Sequence, residues 1–63
     1  MFLTPKEKYL IALAKKKGRI NMWDVSMVYK DTRYAKKTMQ RLVAFGYFKL
    51  GAGYFIPLDK PID

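Results

Sequence analysis

The chain has 63 residues, enough for one domain, and a domain this small buries only about 60% of its unfolded surface, so its core has to be dense or shared with a partner. It contains no Cys and no His, which excludes disulfides, haem ligation, the common zinc sites and every catalytic triad built on those residues; no cofactor, metal or small-molecule ligand is expected. A formal net charge of +8 on a chain that is 51% apolar and 16% aromatic describes a folded, cationic domain drawn to polyanions, meaning DNA, RNA or an anionic membrane.

The acids are not scattered. Glu7, Asp24 and Asp31 fall where helix first turns are expected, and Asp59 and Asp63 lie in the tail, which leaves the middle of the chain strongly cationic. No apolar run reaches the roughly 18 residues of a membrane span, and Met1-Phe2-Leu3 is too short for a signal-peptide core. A cytoplasmic, nucleoid-associated protein is the expectation.

Thr4-Pro5-Lys6-Glu7 reads as a capping box with proline at the first helical position, so a helix is predicted from Pro5 to about Lys17. Leu10, Leu13 and Ala14 should face the core, with Ile11 as a further candidate, and Gly18 should close the helix. Lys15-Lys16-Lys17 has two readings: complementation of the helix dipole at its carboxyl end, or a widened phosphate-binding surface. Ile20 then offers a single strand-like pairing that would cover the edge of a later hairpin. Asn21 followed by Asp24 repeats the cap and opens a second helix from Met22 to about Tyr29. Its apolar residues are Trp23, Val25, Val28 and Tyr29, and Trp23 is expected to pack in the core rather than to serve as a ligand platform, because a small core needs large side chains.

Lys30-Asp31 is a very tight turn into a third helix capped by Asp31 or Thr32 and ended by a left-handed Gly46. Ala35, Met39 and Leu42 recur at helical spacing and define its buried stripe. The complementary face carries Arg33, Tyr34, Lys36, Lys37, Gln40 and Arg41. Such a face fits a major groove, with phosphates taking the cations and Arg33 or Gln40 able to bond guanine or adenine edges in bidentate fashion. Taken alone, the same face is also what a solvated helix surface looks like.

Tyr47 to Leu50 and Tyr54 to Pro57 are β-prone runs around Gly51-Ala52-Gly53, a good hairpin signal. Phe48 and Leu50 should point inward, Tyr47 and Lys49 outward. Residues 58 to 63 lack periodicity and read as an extended tail.

Helix, short strand, helix, tight turn, helix and glycine-tipped hairpin is an order that resembles the winged helix-turn-helix family over residues 4 to 57, within one domain spanning 1 to 63. The most telling stretch is Thr38 to Phe48, which looks like the end of a recognition helix turning into the first wing strand. Asp24-Val25-Ser26 is similar to the family's second helix, with Ser26 where a small residue lets helices approach. The resemblance implies an α+β fold: three helices, a strand-like segment after the first, and a two-stranded β-hairpin wing. It implies binding of double-stranded DNA with the third helix in the major groove, through Thr32, Arg33, Tyr34, Lys36, Lys37, Gln40 and Arg41, with Lys49 and Tyr54 flanking the wing. Two departures stand out: the wing tip lacks the Arg or Lys that many family wings insert, and the Lys30-Asp31 turn is shorter than usual.

The functional expectation is a small DNA-binding transcriptional regulator of archaeal, bacterial or viral type. No residues follow the wing that could form an effector domain, so regulation would come from occupancy, abundance or a partner. A second reading is a protein-interaction winged helix in a replication or transcription complex, or a nucleoid-type protein. Phe2, Leu3, Ile11, Phe45, Phe55 and Ile62 exceed what one minimal core needs and suit a protein partner or a homodimer. An enzyme is not expected: Gly51-Ala52-Gly53 lies between strands and is a turn rather than a nucleotide cradle, and Asp24 and Asp31 are better explained as helix-start residues than as a catalytic pair. Nor is a membrane surface, since the apolar stripes are needed for the core.

Overall fold

The capping residues start all three helices where the sequence places them. The protein is described by a computed structural model covering residues 2–62, so Met1 and Asp63 lie outside the described residues. Helix α1 (Pro5–Lys17) opens with a reciprocal pair: the Glu7 N–H donates to Thr4 Oγ1 at 3.2 Å and the Thr4 N–H donates to Glu7 Oε1 at 2.8 Å. Gly18, at φ 95°, ends it by donating to the Ala14 carbonyl. Helix α2 (Met22–Val28) begins in the same way on Asn21 and Asp24. It ends at Val28 because Tyr29 turns to an extended backbone, which carries its ring into the core. Helix α3 (Thr32–Ala44) is capped by Asp31, whose carboxylate accepts the Arg33 N–H at 2.9 Å.

The α3 exit explains the first difference from the expected pattern. Gly46 is left-handed at φ 86°, its N–H donates to the Val43 carbonyl, and the Tyr47 N–H donates to the Leu42 carbonyl. That pair of bonds is a Schellman motif, in which the residue after the glycine packs back under the helix. Tyr47 is therefore buried, not outward as strand alternation from Tyr47 would have it, because the strand begins one residue later.

Strands β1 (Phe48–Gly51) and β2 (Tyr54–Pro57) form an antiparallel hairpin in the register Leu50 to Phe55 and Gly51 to Tyr54. The loop is thus Ala52-Gly53, with φ of 48° and 81°, the positive pair that a tight hairpin turn requires. Ile20 makes the single pairing expected of it: it exchanges two backbone bonds with Phe55, at 3.0 and 2.7 Å, and covers the free edge of β2. The whole is an α+β arrangement of three helices followed by a two-stranded hairpin, consistent with a winged-helix topology.

Leu10, Ile11, Ala14, Ile20, Val25, Ala35, Met39, Leu42 and Phe48 form the centre of the core, joined by Leu3, Tyr29 and Tyr47. On α1 the buried stripe is Glu7, Leu10, Ile11 and Ala14, so Ile11 is central and Leu13 only half-buried. Leu3 and Ile11 are consequently core residues rather than surplus ones. Trp23, expected in the core, is 68% exposed. The reason is helical phase: Val25 is the buried residue of α2, and residues two positions either side of it lie about 200° around the helix, which turns Trp23 and Met27 to solvent. Aromatic bulk comes instead from Phe48, Tyr47 and Tyr29. Leu50 faces the helical side of the hairpin as expected but overhangs the end of the core and is 67% exposed.

Residues 58–62 have no regular structure, yet they are tied down. The Leu58 N–H donates to the Tyr47 carbonyl, Lys15 Nζ donates to the Lys60 carbonyl, and the Lys60 ammonium donates to the Phe45 carbonyl while sitting 4.5 Å from the Tyr47 ring centroid. One of the three α1 terminal lysines thus has a packing role. Another, Lys17, bonds Asp24 at 3.0 Å and links α1 to the start of α2.

Asp24 makes a pH-dependent contribution. The Asn21 backbone N–H, and then the Lys17 ammonium, hold its carboxyl below the ordinary value of 3.8. A carboxyl depressed in the folded state stabilises the fold above its unfolded value and loses that contribution as pH falls through the folded value. Asp24→Asn, which keeps an acceptor for Asn21 but not the charge, should lower stability by about 0.5–1 kcal/mol at neutral pH. Urea melts of both proteins should converge as pH drops below about 4; a difference that stays constant to pH 2 would show that the charge is not the cause.

Candidate nucleic-acid interface

The disposition of cations on α3 follows from the stripe that it buries. With Ala35, Thr38, Met39 and Leu42 against the core, the line at i, i+4, i+7 and i+11 on the far side is Arg33, Lys37, Gln40 and Ala44. Arg33, Lys37 and Gln40 are all exposed, and together they form a ridge of long donors running most of the helix length. Thr32 stands exposed at the first helical position, one turn before Lys36 on the flank beside this ridge.

Lys36 lies on the flank of α3 that faces the hairpin. Between that flank and the wing runs an open groove of about 360 Å³, floored by Met39 and Val43, walled by Phe55 and Leu50, and rimmed by Lys36 and Gln40. Among the described residues, no carboxylate lies within ion-pairing distance of Lys36 or Lys37. Arg33 has one acidic neighbour, Asp31, at 3.9 Å, with the arginine side chain 94% exposed; a pair so open and so long does little to neutralise it.

Tyr34 and Arg41 sit on the opposite flank, toward α1 and α2, and are not brought together with the ridge. The Tyr34 ring lies 5.2 Å from that of Tyr29, at the edge of a shallow surface that Pro5 and Lys6 share. Lys6 in turn lies 5.5 Å from the Tyr29 ring. Burial is the main reason that the Tyr29 phenol is raised above its ordinary value, so it stays neutral. Arg41, expected to meet a phosphate, is engaged within the fold. Its guanidinium lies 3.4 Å from the carboxylate of Glu7, which is 2% exposed, and donates to the Phe2 carbonyl at 3.1 Å. An acid this deeply buried requires a partner, and Arg41 is it.

The wing presents a second cationic surface. Strand alternation turns Lys49 and Tyr54 to the face away from the groove, where the Arg19 guanidinium stacks 4.1 Å from the Tyr54 ring centroid. Arg19 was not among the residues singled out in the sequence. The signal for it was present: once Ile20 pairs with Phe55, the preceding residue must fall on the outer face beside Tyr54.

Ser26 lies half-exposed on α2 and donates its hydroxyl to the Trp23 carbonyl. Among the described residues there is no group of His, Cys, Asp and Glu that could hold a metal ion, and no helix is long and apolar enough to cross a membrane. Comparison with known proteins finds no family model, no curated protein and no solved structure that matches the chain.

Proposed function

We propose that this chain is a double-stranded DNA-binding protein of winged helix-turn-helix type, acting as a transcriptional regulator with α3 in the major groove. The observation that supports it best is the exposed ridge of Arg33, Lys37 and Gln40, flanked by Lys36, on a helix that buries Ala35, Thr38, Met39 and Leu42 on its opposite side. Thr32, one turn before Lys36, offers a hydroxyl to backbone phosphate at the start of the helix. Lys49 and the Arg19–Tyr54 pair add charge on the wing. Tyr34 and Arg41 take a structural part, packed toward Tyr29 and Glu7 respectively. A net charge of +8 supplies the long-range attraction that brings the duplex to this face.

The test separates the two kinds of contact. Lys37→Ala should weaken binding to all duplexes alike and make the dependence of log affinity on log salt shallower by about one unit, because one phosphate contact fewer releases one counterion fewer. Arg33→Ala and Gln40→Ala should each cost about 1–3 kcal/mol on a duplex enriched by selection from random DNA, and much less on a scrambled one. Affinity-versus-salt titrations on both duplexes read the difference. If none of the three substitutions changes affinity twofold, α3 is not the DNA-binding surface. Selection that enriches no sequence points to a nucleoid role instead.

A second reading, a protein-interaction subunit or homodimer, is favoured by one feature: Trp23 and Met27, at 68% and 69% exposure, stand one turn apart on α2. Two large apolar side chains in register on an otherwise small helix form an anchor suited to a partner. Association through them would persist at high salt, whereas DNA binding would not.

A further inference from the structure

The groove between α3 and the wing has apolar walls and a rim that belongs to the proposed DNA face. Leu50 shows its inner-face side chain to solvent at 67% exposure, and Phe55, its cross-strand partner, is only half-buried. Phe55 packs one side of its ring edge-on to Phe48, whereas the hairpin, whose turn is already set by Ala52-Gly53, does not require Leu50 there. Met39 and Val43 continue the apolar surface onto α3. A space of about 360 Å³ lies in the range of ligand pockets and takes one or two large side chains. A DNA backbone has no group suited to an apolar floor, since its phosphates seek donors.

Charge decides what kind of partner fits. The rim holds Lys36, with no carboxylate in ion-pairing distance among the described residues, on a chain of net charge +8. A segment that is acidic around an apolar anchor is favoured there, because it gains the attraction of Lys36 and of the net charge, whereas a basic one meets repulsion from both. We propose that the groove is the docking site of an acidic protein segment, an amphipathic helix that seats Leu or Phe side chains against Leu50, Phe55 and Val43 while a carboxylate takes Lys36. Helix-in-groove recognition of this kind reads apolar anchors at i and i+4. Because Lys36 and Gln40 cannot serve both partners, docking displaces DNA. This second part rests on the DNA-binding reading; the docking itself does not.

The probe is a synthetic helical peptide of about four turns, with Leu and Phe at i and i+4, two further Leu one turn away, and Glu at the flanking positions. Fluorescence anisotropy of the labelled peptide, titrated with the protein free of DNA, measures docking directly. Leu50→Ser should weaken it about tenfold, the loss expected when one buried Leu no longer contributes. A control peptide with the same glutamates and Ser at the apolar positions should bind at least tenfold more weakly. Equal binding of both peptides, or of both proteins, would overturn the assignment and reduce the effect to non-specific charge attraction. In a second arm, the unlabelled peptide should release labelled duplex from the protein; peptide and duplex bound together would overturn the competition and leave the groove occupied. If duplex binding itself is absent, the first arm still decides the docking, so the two readings fail separately.

Discussion

Leu42→Ala should destabilise the protein by about 2–5 kcal/mol, the range found when a fully buried Leu leaves a cavity. Leu42 is completely buried, and its carbonyl accepts the Tyr47 N–H in the turn that swings the chain from α3 into the wing. Its side chain thus supports the one junction that sets the helix against the hairpin. At roughly 0.05–0.15 kcal/mol per residue, a 63-residue domain holds about 3–9 kcal/mol in all, so this single truncation removes a large share of it. Met39→Ala, equally buried on the same stripe, should fall in the same range. Thermal and urea melts followed by far-UV circular dichroism measure both. Losses below about 0.5 kcal/mol at both positions would mean that α3 is rotated from the phase described here.

Arg41→Ala should cost about 1–3 kcal/mol of stability, and the cause makes a signed prediction. Removing one member of a buried ion pair leaves the other charge desolvated and uncompensated, a penalty of about 3–5 kcal/mol when both are buried. The Arg41 side chain is 45% exposed, so solvent screens part of the interaction and the figure is discounted accordingly. Glu7, by contrast, is 2% exposed and keeps only its bond from the Thr4 N–H once the guanidinium is gone. Glu7→Gln retains an acceptor for Thr4 and removes the charge. The double variant Glu7→Gln, Arg41→Ala should therefore be more stable than Arg41→Ala alone. Equal stability of the single and double variants would show that the carboxylate does not depend on Arg41. Near-unchanged affinity of folded Arg41→Ala for duplex DNA would agree with its place outside the Arg33, Lys37, Gln40 ridge.

The cation on α3 that looks most like its neighbours in the sequence is thus the one that the fold uses differently. Arg41 follows Gln40 in a polar run, and nothing local distinguishes it from Lys37. What distinguishes it is Glu7, 34 positions away in the chain and brought under α3 by the packing of α1. The ridge itself was legible, because helical periodicity places Arg33, Lys37 and Gln40 opposite Ala35, Met39 and Leu42 without reference to any other element. The groove was not, since its walls come from two elements and its openness depends on how far Leu50 overhangs the core.

The same division runs through the fold. Sequence by itself determined the three helix starts, the glycine stops at Gly18 and Gly46, the hairpin and the pairing of Ile20, because caps, left-handed residues and short apolar runs act over a few residues. Tertiary structure alone decided which apolar side chains are inside. Trp23 is out because a seven-residue helix has one buried position and Val25 occupies it; Tyr47 is in because the Schellman turn folds it beneath α3; Ile11 is core because α1 buries a wider stripe than its strongest apolar residues mark, and Leu3, which precedes the α1 cap, joins the same cluster. Burial is a property of surfaces meeting, and which surfaces meet is set by the angles between elements, on which local chemistry is silent.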